Sequence, residues 1–345
     1  MSMPTGNTEP SYKNDPAYKI TSIIFPVLVA IIVFLFIWFS RGEIKLKEPR
    51  TITLYCFSAM ELVMEQALVP AFQDMWLEQN QEQVEFITTF AGSGVITRQI
   101  ITRFPAEVAV LSSELDARRL VGSGAITAAV WQELRKKDKF CRSPIVLFVR
   151  EEFETSIKSF DDIDFSKMNV IIPDPLTSGE GQLAALALYG SRLRQGFTKE
   201  QAFDFVTQAF TNSRNHPSTS QDAMEQFHAG LGDILLNYEA AAGNHPGVSE
   251  MKIIHPQRTI MTEPIAVAIK TNIKPKQTEI VNAFLGFLWS DKAKKILSDY
   301  GFQTINISQQ AGFAPTPLND IFTLDSLGSA MELNRSVIDP LAAQE

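Results

Sequence analysis

Twenty consecutive positions from Ile20 to Phe39, ITSIIFPVLVAIIVFLFIWF, carry no charge, and beyond them the chain turns to short apolar runs separated by polar turns. As a helix rising about 1.5 Å per residue, the first run reaches across the ~30 Å hydrocarbon core of a bilayer. It predicts a membrane-spanning segment. Pro26 sits near its start, where a missing N–H costs least, and Trp38 with Phe39 suits the interfacial belt. A cleaved secretory signal would need a shorter apolar run and an Ala-x-Ala-like site, whereas this run ends Trp38-Phe39-Ser40-Arg41-Gly42. An uncleaved anchor is expected, and no cysteine follows it to take a lipid. Lys13 and Lys19 precede the run, while Arg41, Lys45, Lys47 and Arg50 follow it. Counted alone, those charges point the bulk of the chain inward. Large domains translocate largely regardless of flanking charge, so the character of residues 51–345 decides the orientation.

After a polar tether over residues 40–50, Thr51–Phe57 (TITLYCF) is β-branched and aromatic and predicts a buried strand. Ser58 stands at an N-cap position before the helical pattern AMELVMEQALVPAFQDMWLEQ. Gln83–Thr89 alternates as a second strand, FAGSG makes a turn, Val95–Arg103 reads as a helix and Glu107–Leu111 as a third strand. Such alternation implies a parallel sheet with helices on both faces. A buried strand at Ser143–Arg150 opens a second series: Met168–Ile172, the loop Pro173–Ser178, a long helix from Gly179, a helix near Lys199–Phe210 and a strand at Asp233–Tyr238. Thr262–Ile269 resembles Ser143–Arg150 in character, and helices at Lys276–Ser290 and Asp291–Tyr300 follow. Two crossing strands with an αβ series between them predict a hinged, two-lobe α/β protein. Lobe I takes residues 51–150 and 264–345, lobe II takes 151–263, and a short tail over 1–19 and the anchor over 20–39 precede them. The last thirty residues read as a short apolar stretch and a frayed polar end.

At 345 residues, with 45% hydrophobic and 20% charged positions, the chain is long enough for two packed lobes. Lys and Arg number 31 against 39 Asp and Glu, a net charge of −8, which disfavours a nucleic-acid footprint. The two cysteines, Cys56 and Cys141, cannot build a disulfide scaffold or a zinc cage; two inert buried thiols or a single disulfide remain.

Three strand-to-helix loops are rich in Gly and Ser: Phe57-Ser58-Ala59, Ala91-Gly92-Ser93-Gly94 and Thr177-Ser178-Gly179-Glu180-Gly181. Each would aim backbone N–H groups and a hydroxyl at the space beyond the sheet, where ligands of α/β proteins bind. Converging helix N-termini favour an anion with no Lys or Arg in contact. Taken singly, each such turn is also an ordinary N-cap. No GxxxxGK[ST] phosphate loop occurs, and the glycines lack dinucleotide-binding spacing.

From about Thr51 to Glu345 the chain resembles the sulfate/thiosulfate-binding proteins of ABC importers, which are type 2 periplasmic solute-binding proteins. The resemblance is carried by Ala91–Gly94, Pro144–Arg150, IIPDPLTSGEGQ (Ile171–Gln182), GLGDILLNYE (Gly230–Glu239), TEPIAVAI (Thr262–Ile269), FLWSDKAKKILSDYGF (Phe287–Phe302) and IFTLDSLG (Ile321–Gly328). It implies a periplasmic or extracellular two-lobe domain, an ABC permease as partner, no cofactor, and capture of a tetrahedral oxyanion, sulfate first. It also implies ligand contacts at Ser93, at Ser178 with the backbone of Gly179 and Glu180, near Thr219, and at Tyr238. The chain departs from that family in several places. Ser58 stands where an Asp is usual, Glu180 replaces a Gly, Tyr238 replaces a Trp, and PSTSQ (Pro217–Gln221) lacks an Arg. Ser58, Ser93 and Tyr238 together resemble the hydroxyl set of molybdate/tungstate-binding proteins, so those anions are the alternative, as is an anion-sensing ectodomain.

Other residues carry less. His216, His228, His245 and His255 show no metal-site spacing and read as solvated or capping. Arg98 and Arg103 read as a solvated helix face. Glu180 either accepts a proton from a protonated oxyanion or points to water from a first helical turn, where a carboxylate is favoured. Asp161-Asp162 reads as a helix start. No Ser/His/Asp, Cys/His or metal constellation converges, so a binding protein rather than an enzyme is expected.

Overall fold

The computed structural model describes residues 16–40, 47–213, 215–244, 251–304 and 320–343, with side chains on the first helix from 24 to 36. The chain divides into two compact units, residues 1–48 and 49–345. In the first, helix α1 (Pro16–Ser40) runs 25 residues with Pro26 inside it. Its described side chains, including Phe25, Leu28, Ile32 and Phe36, are apolar and exposed. Among the described residues no helix is long and apolar enough to cross a membrane. Most of the expected tail over 1–19 and of the tether lies outside the described residues; the helix begins within that tail, at Pro16.

The second unit opens with β1 (Lys47–Phe57), whose Ile52, Leu54 and Cys56 are fully buried. A continuous helical run follows, from a 3-10 turn (Ser58–Met60) through α2 (Glu61–Val63) and a π segment (Met64–Leu68) into α3 (Val69–Asn80). Ser58 is the first residue of that turn. Phe57 holds the cap position, with no side-chain cap bond, so the N-cap expected at Ser58 is corrected. Then come β2 (Glu82–Ala91), α4 (Ser93–Ile101), β3 (Val108–Leu111), α5 (Glu114–Gly122) and α6 (Ala128–Lys136). Strand β4 (Ser143–Arg150) is buried along all but its last residue. A 3-10 turn at Phe160–Asp162, with a capping box on Ser159, matches the start expected at Asp161-Asp162. The series continues with β5 (Val170–Ile171), α7 (Gly179–Arg194), α8 (Lys199–Asn212), α9 (Ser220–His228), β6 (Ile234–Tyr238), β7 (Met251–Ile254), β8 (Arg258–Thr262) and β9 (Ile265–Ala268). Helices α10 (Thr278–Phe287) and α11 (Asp291–Asp299), strand β10 (Asp320–Phe322), and α12 (Leu324–Leu327), α13 (Ala330–Leu333) and α14 (Asp339–Ala342) complete it.

Two sheets result. One has the order β2-β1-β3-β9; the other has β10-β8-β4-β6-β5, with β7 also on β4. Neither is purely parallel, which corrects the expectation from alternation. β1 and β3 pair parallel, but β9 returns antiparallel to β3, and β6, β7 and β8 all run antiparallel to β4. The reason is connectivity: the chain passes between sheets and comes back, and a returning strand enters from the opposite end. Thr262–Ile269, expected as one strand, is two. Thr262 pairs with Ser143 in the second sheet, while Ile265 pairs with Leu111 in the first. Glu263-Pro264 carries the change of sheet, and Pro264, lacking an N–H, suits the break in the ladder.

The C-terminal end is packed rather than frayed. Leu333, Val337, Ile338 and Leu341 are buried, Asn334 Nδ2 donates to Leu115 O at 3.3 Å, and Asp339 pairs with Arg119. Cys56 and Cys141 are free and fully buried, and burial pushes both thiols well above their usual range, as expected for inert thiols.

Candidate functional site

The loops that precede α4, α5, α7 and α9 converge at the ends of strands β1, β2, β3, β5 and β6. The loop before α7 is tied down by Asp174. Its carboxylate accepts from Leu176 N at 2.6 Å and Thr177 Oγ1 at 2.9 Å, and its carbonyl accepts from Ser178 N at 2.8 Å. Ser178 Oγ in turn caps α7, accepting from Glu180 N (3.2 Å) and Gly181 N (3.4 Å). A hydroxyl that accepts in this way keeps its own proton to donate. Thr219 likewise caps α9, its Oγ1 accepting from Asp222 N at 3.0 Å.

Ser93 opens α4, and its Oγ accepts from the amide of Ser112 at 3.1 Å. The amides of Gly94 and Val95, read from the sequence as available to an anion, both donate to the carbonyl of Thr177, at 3.1 and 3.3 Å. Loops from the two αβ series therefore touch. Contact this close needs glycine: a Cβ on Gly92 would lie 2.2 Å from Thr177 O, and one on Gly179 would lie 2.6 Å from Ser112 Cβ and 2.8 Å from Ser93 Cβ. Arg98 is exposed, as a solvated helix face should be, and from there its guanidinium also donates to Leu176 O at 2.6 Å.

Tyr238 ends β6 and presents its ring edge-on to Phe57, with centroids 6.2 Å apart. Burial, then the carboxyls of Glu180 and Asp116, push its phenol well above the usual range; the nearby Ser112 hydroxyl works the other way. Even so, neither the phenol oxygen nor Ser112 Oγ has a partner of hydrogen-bond geometry among the described residues. Glu180 is 2% exposed, so it does not point to water, and burial pushes its carboxyl well above the ordinary carboxylate range. Ser58 is buried. With Ser220, Gln221, Glu61 and Glu65 it lines a cavity of about 140 Å³.

The sequence reading missed two residues. Ser112 follows a strand and precedes a helix, as the three chosen loops do, and that hydroxyl pattern was the available signal. Asn237 is fully buried; it accepts from Ser220 Oγ at 2.8 Å and Tyr238 N at 2.6 Å, and donates to Ser220 O, locking α9 to β6. Its register on β6 gave no sequence signal. Of the histidines, His216 stacks on Phe210 and bonds Ile172 O and Phe210 O, while His255 pairs with Glu239. His245 lies outside the described residues.

Residues 52–303 match the family model described as bacterial extracellular solute-binding protein. The chain belongs to that family. This solute-binding protein is 25% identical over 296 residues to a sulfate-binding protein of Synechocystis, covering 84% of each chain. It is 26% identical over 263 residues to a thiosulfate-binding protein of Pseudomonas aeruginosa, covering 74% of this chain and 79% of that one. Its fold matches the solved sulfate-binding protein SubI of Mycobacterium tuberculosis with a TM-score of 0.73 and 25% identity, over 84% of this chain and 99% of the other. The two-lobe α/β architecture of periplasmic binding proteins is thereby shown for the matched part of the chain, and with it a binding rather than an enzymatic role. The family is extracytoplasmic.

Proposed function

We propose that this solute-binding protein captures a tetrahedral oxyanion, sulfate first, between its lobes and delivers it to the permease of an ABC importer. The observation that carries this reading is a meeting point of hydroxyls and helix N-termini: Ser93, Ser112, Ser178, Gly179 and Tyr238 are buried, and the half-buried Thr219 caps α9. Charge-assisted hydrogen bonds of about 1.5–3 kcal/mol each make such a site strong enough for micromolar binding after ordering losses. The names of the relatives support sulfate or thiosulfate. Ser58, Ser93 and Tyr238 keep molybdate and tungstate in the test panel, because a phenol reaches less far than an indole and leaves more room. Calorimetry of the full chain in detergent against all four anions tests the reading. Ser93→Ala and Ser178→Ala should each weaken the preferred anion by ~1–3 kcal/mol, Ser178→Ala in part through its lost helix cap. Unchanged binding in both variants would remove these residues from the site.

The lobes proposed are residues 51–150 with 264–345, and 151–263, save that β4 and β10 pair within the sheet of the second lobe, and they are hinged where β4 meets β8 and where Glu263-Pro264 leads into β9. Thr262 Oγ1 donates to Ser143 O and Thr259 Oγ1 to Ile145 O, both at 2.6 Å, which would keep the crossing in register as the lobes move. Ile20–Phe39 is proposed as a retained membrane anchor on the strength of its twenty consecutive uncharged positions. Protease added to intact spheroplasts should then degrade residues 51–345. Full protection of a chain shown to be folded after lysis would overturn this topology.

A further inference from the structure

Three O–H groups meet at the start of α7 with no acceptor of hydrogen-bond geometry: the phenol of Tyr238, the hydroxyl of Ser112 and, if protonated, the carboxyl of Glu180. Glu180 is the second residue of α7, and its own amide already donates to Ser178 Oγ, so the carboxyl is what remains of its bonding capacity. Both carboxyl oxygens are without a partner among the described residues. An ionised carboxylate buried in that condition is strongly unfavourable. Burial is the chief influence on it; the Ser220 hydroxyl nearby favours the charged form but does not reach it with hydrogen-bond geometry. The neutral acid instead has one O–H to give. Buried donors lacking acceptors call for a guest with many lone pairs and no protons, which is what a tetrahedral dianion offers.

We propose that Glu180 binds the anion as a carboxylic acid, donating its O–H to an oxyanion oxygen, so that each bound dianion is held together with one proton on this side chain. This rests on the oxyanion reading above and narrows it: the site selects a fully deprotonated anion, and its affinity depends on pH. The proton stays on Glu180 and no bond breaks. The groups that face it are acidic or neutral. Tyr238 comes from β6; Ser220 from α9, with Asp222 and Glu225 further along that helix; Ser112 from the β3–α5 turn and Asp116 from the first turn of α5; Glu61 and Glu65 from the helical run beside the adjoining cavity. Glu61 is itself raised by burial, then by Glu65 and Glu225, but it lines the adjoining cavity rather than the surroundings of Glu180. The bound form keeps its proton while the free form loses it at high pH. Affinity is therefore full below the free protein's Glu180 pKa and falls above it by about tenfold per pH unit.

The test is calorimetry of the full chain in detergent with sodium sulfate, and with sodium molybdate as a second probe, from about pH 5 to about pH 9. The expected result is a flat dissociation constant at low pH, a rise of about tenfold per unit above the break, and uptake of close to one proton per anion above it, read from buffers of different ionisation enthalpy. Glu180→Gln keeps a donor of similar reach; it should bind several-fold more weakly at low pH, with the slope and the proton uptake gone. Anion binding that is independent of pH in the parent protein, or a slope that survives in Glu180→Gln, overturns the inference and leaves the oxyanion reading standing. Should neither anion bind at any pH, the oxyanion reading falls and this inference with it. Proton counting on the unaltered protein decides the matter even if Glu180→Gln does not fold.

Discussion

Gly179→Ala should weaken oxyanion binding by about a hundredfold while leaving the melting temperature of the anion-free protein nearly unchanged. The added Cβ would sit 1.8 Å from Ser112 Oγ, 2.6 Å from Ser112 Cβ and 2.8 Å from Ser93 Cβ. The hydroxyl can rotate away, but the two carbons can yield only if the loops before α4 and α5 draw back from α7. Overpacking of this kind costs about 1–3 kcal/mol, and a few tenths of an ångström of retreat also degrades the donors around the anion. Together these effects amount to about 2.8 kcal/mol, or a hundredfold. Stability should change little, because the clash exists only when the loops meet. Calorimetry with sulfate measures the loss. Small-angle scattering supplies the second readout: the parent should become more compact with sulfate and Gly179→Ala should not. Binding by Gly179→Ala at the parent's affinity would show that the seam between Ser93, Ser112 and Gly179 is not where the protein closes.

A second large effect is expected far from that seam. Phe72→Ala should lower unfolding stability by about 3–5 kcal/mol. Phe72 on α3 is fully buried and touches four rings: Trp76 at 6.0 Å between centroids, Phe86 at 6.0 Å, Phe284 at 5.2 Å and Phe287 at 5.7 Å. Those rings come from α3, β2 and α10, so the cluster ties a late segment of the chain to the first sheet. Removing its centre leaves a cavity that rigid neighbours cannot fill, and edge-to-face pairs add to the loss. Urea denaturation followed by fluorescence checks the magnitude. Sulfate affinity should be retained, since Phe72 is not among the residues of the seam. A loss below about 1 kcal/mol would mean that the rings repack around the gap.

Much of the site was legible before the structure because its signals are local. An N-cap depends on residues three apart, so Ser178 before Gly179-Glu180-Gly181 announced itself and does cap α7, whereas Thr219, named only through the family resemblance, turns out to cap α9. The same locality misled at Ser58, where the pattern fits a cap but the chain begins a 3-10 turn one residue early. Arg98 is exposed as read, but its partner, the carbonyl of Leu176, is distant in sequence and carries no side-chain signature at all.

By itself the sequence determined the alternation of strands and helices, the uncharged run at Ile20–Phe39, the helix caps and the glycines that permit close approach. Each of these follows from periodicity or backbone freedom within a few residues. Only the tertiary structure decided the antiparallel return of β9 onto β3, the change of sheet at Glu263-Pro264, the packed C-terminal helices and the surroundings of Glu180. On a lone helix that carboxylate belongs in water at a favourable N-terminus. In the folded protein the ends of β3, β6 and α9 close around it, and a group's protonation is set by what surrounds it in space, which no stretch of sequence around Glu180 specifies.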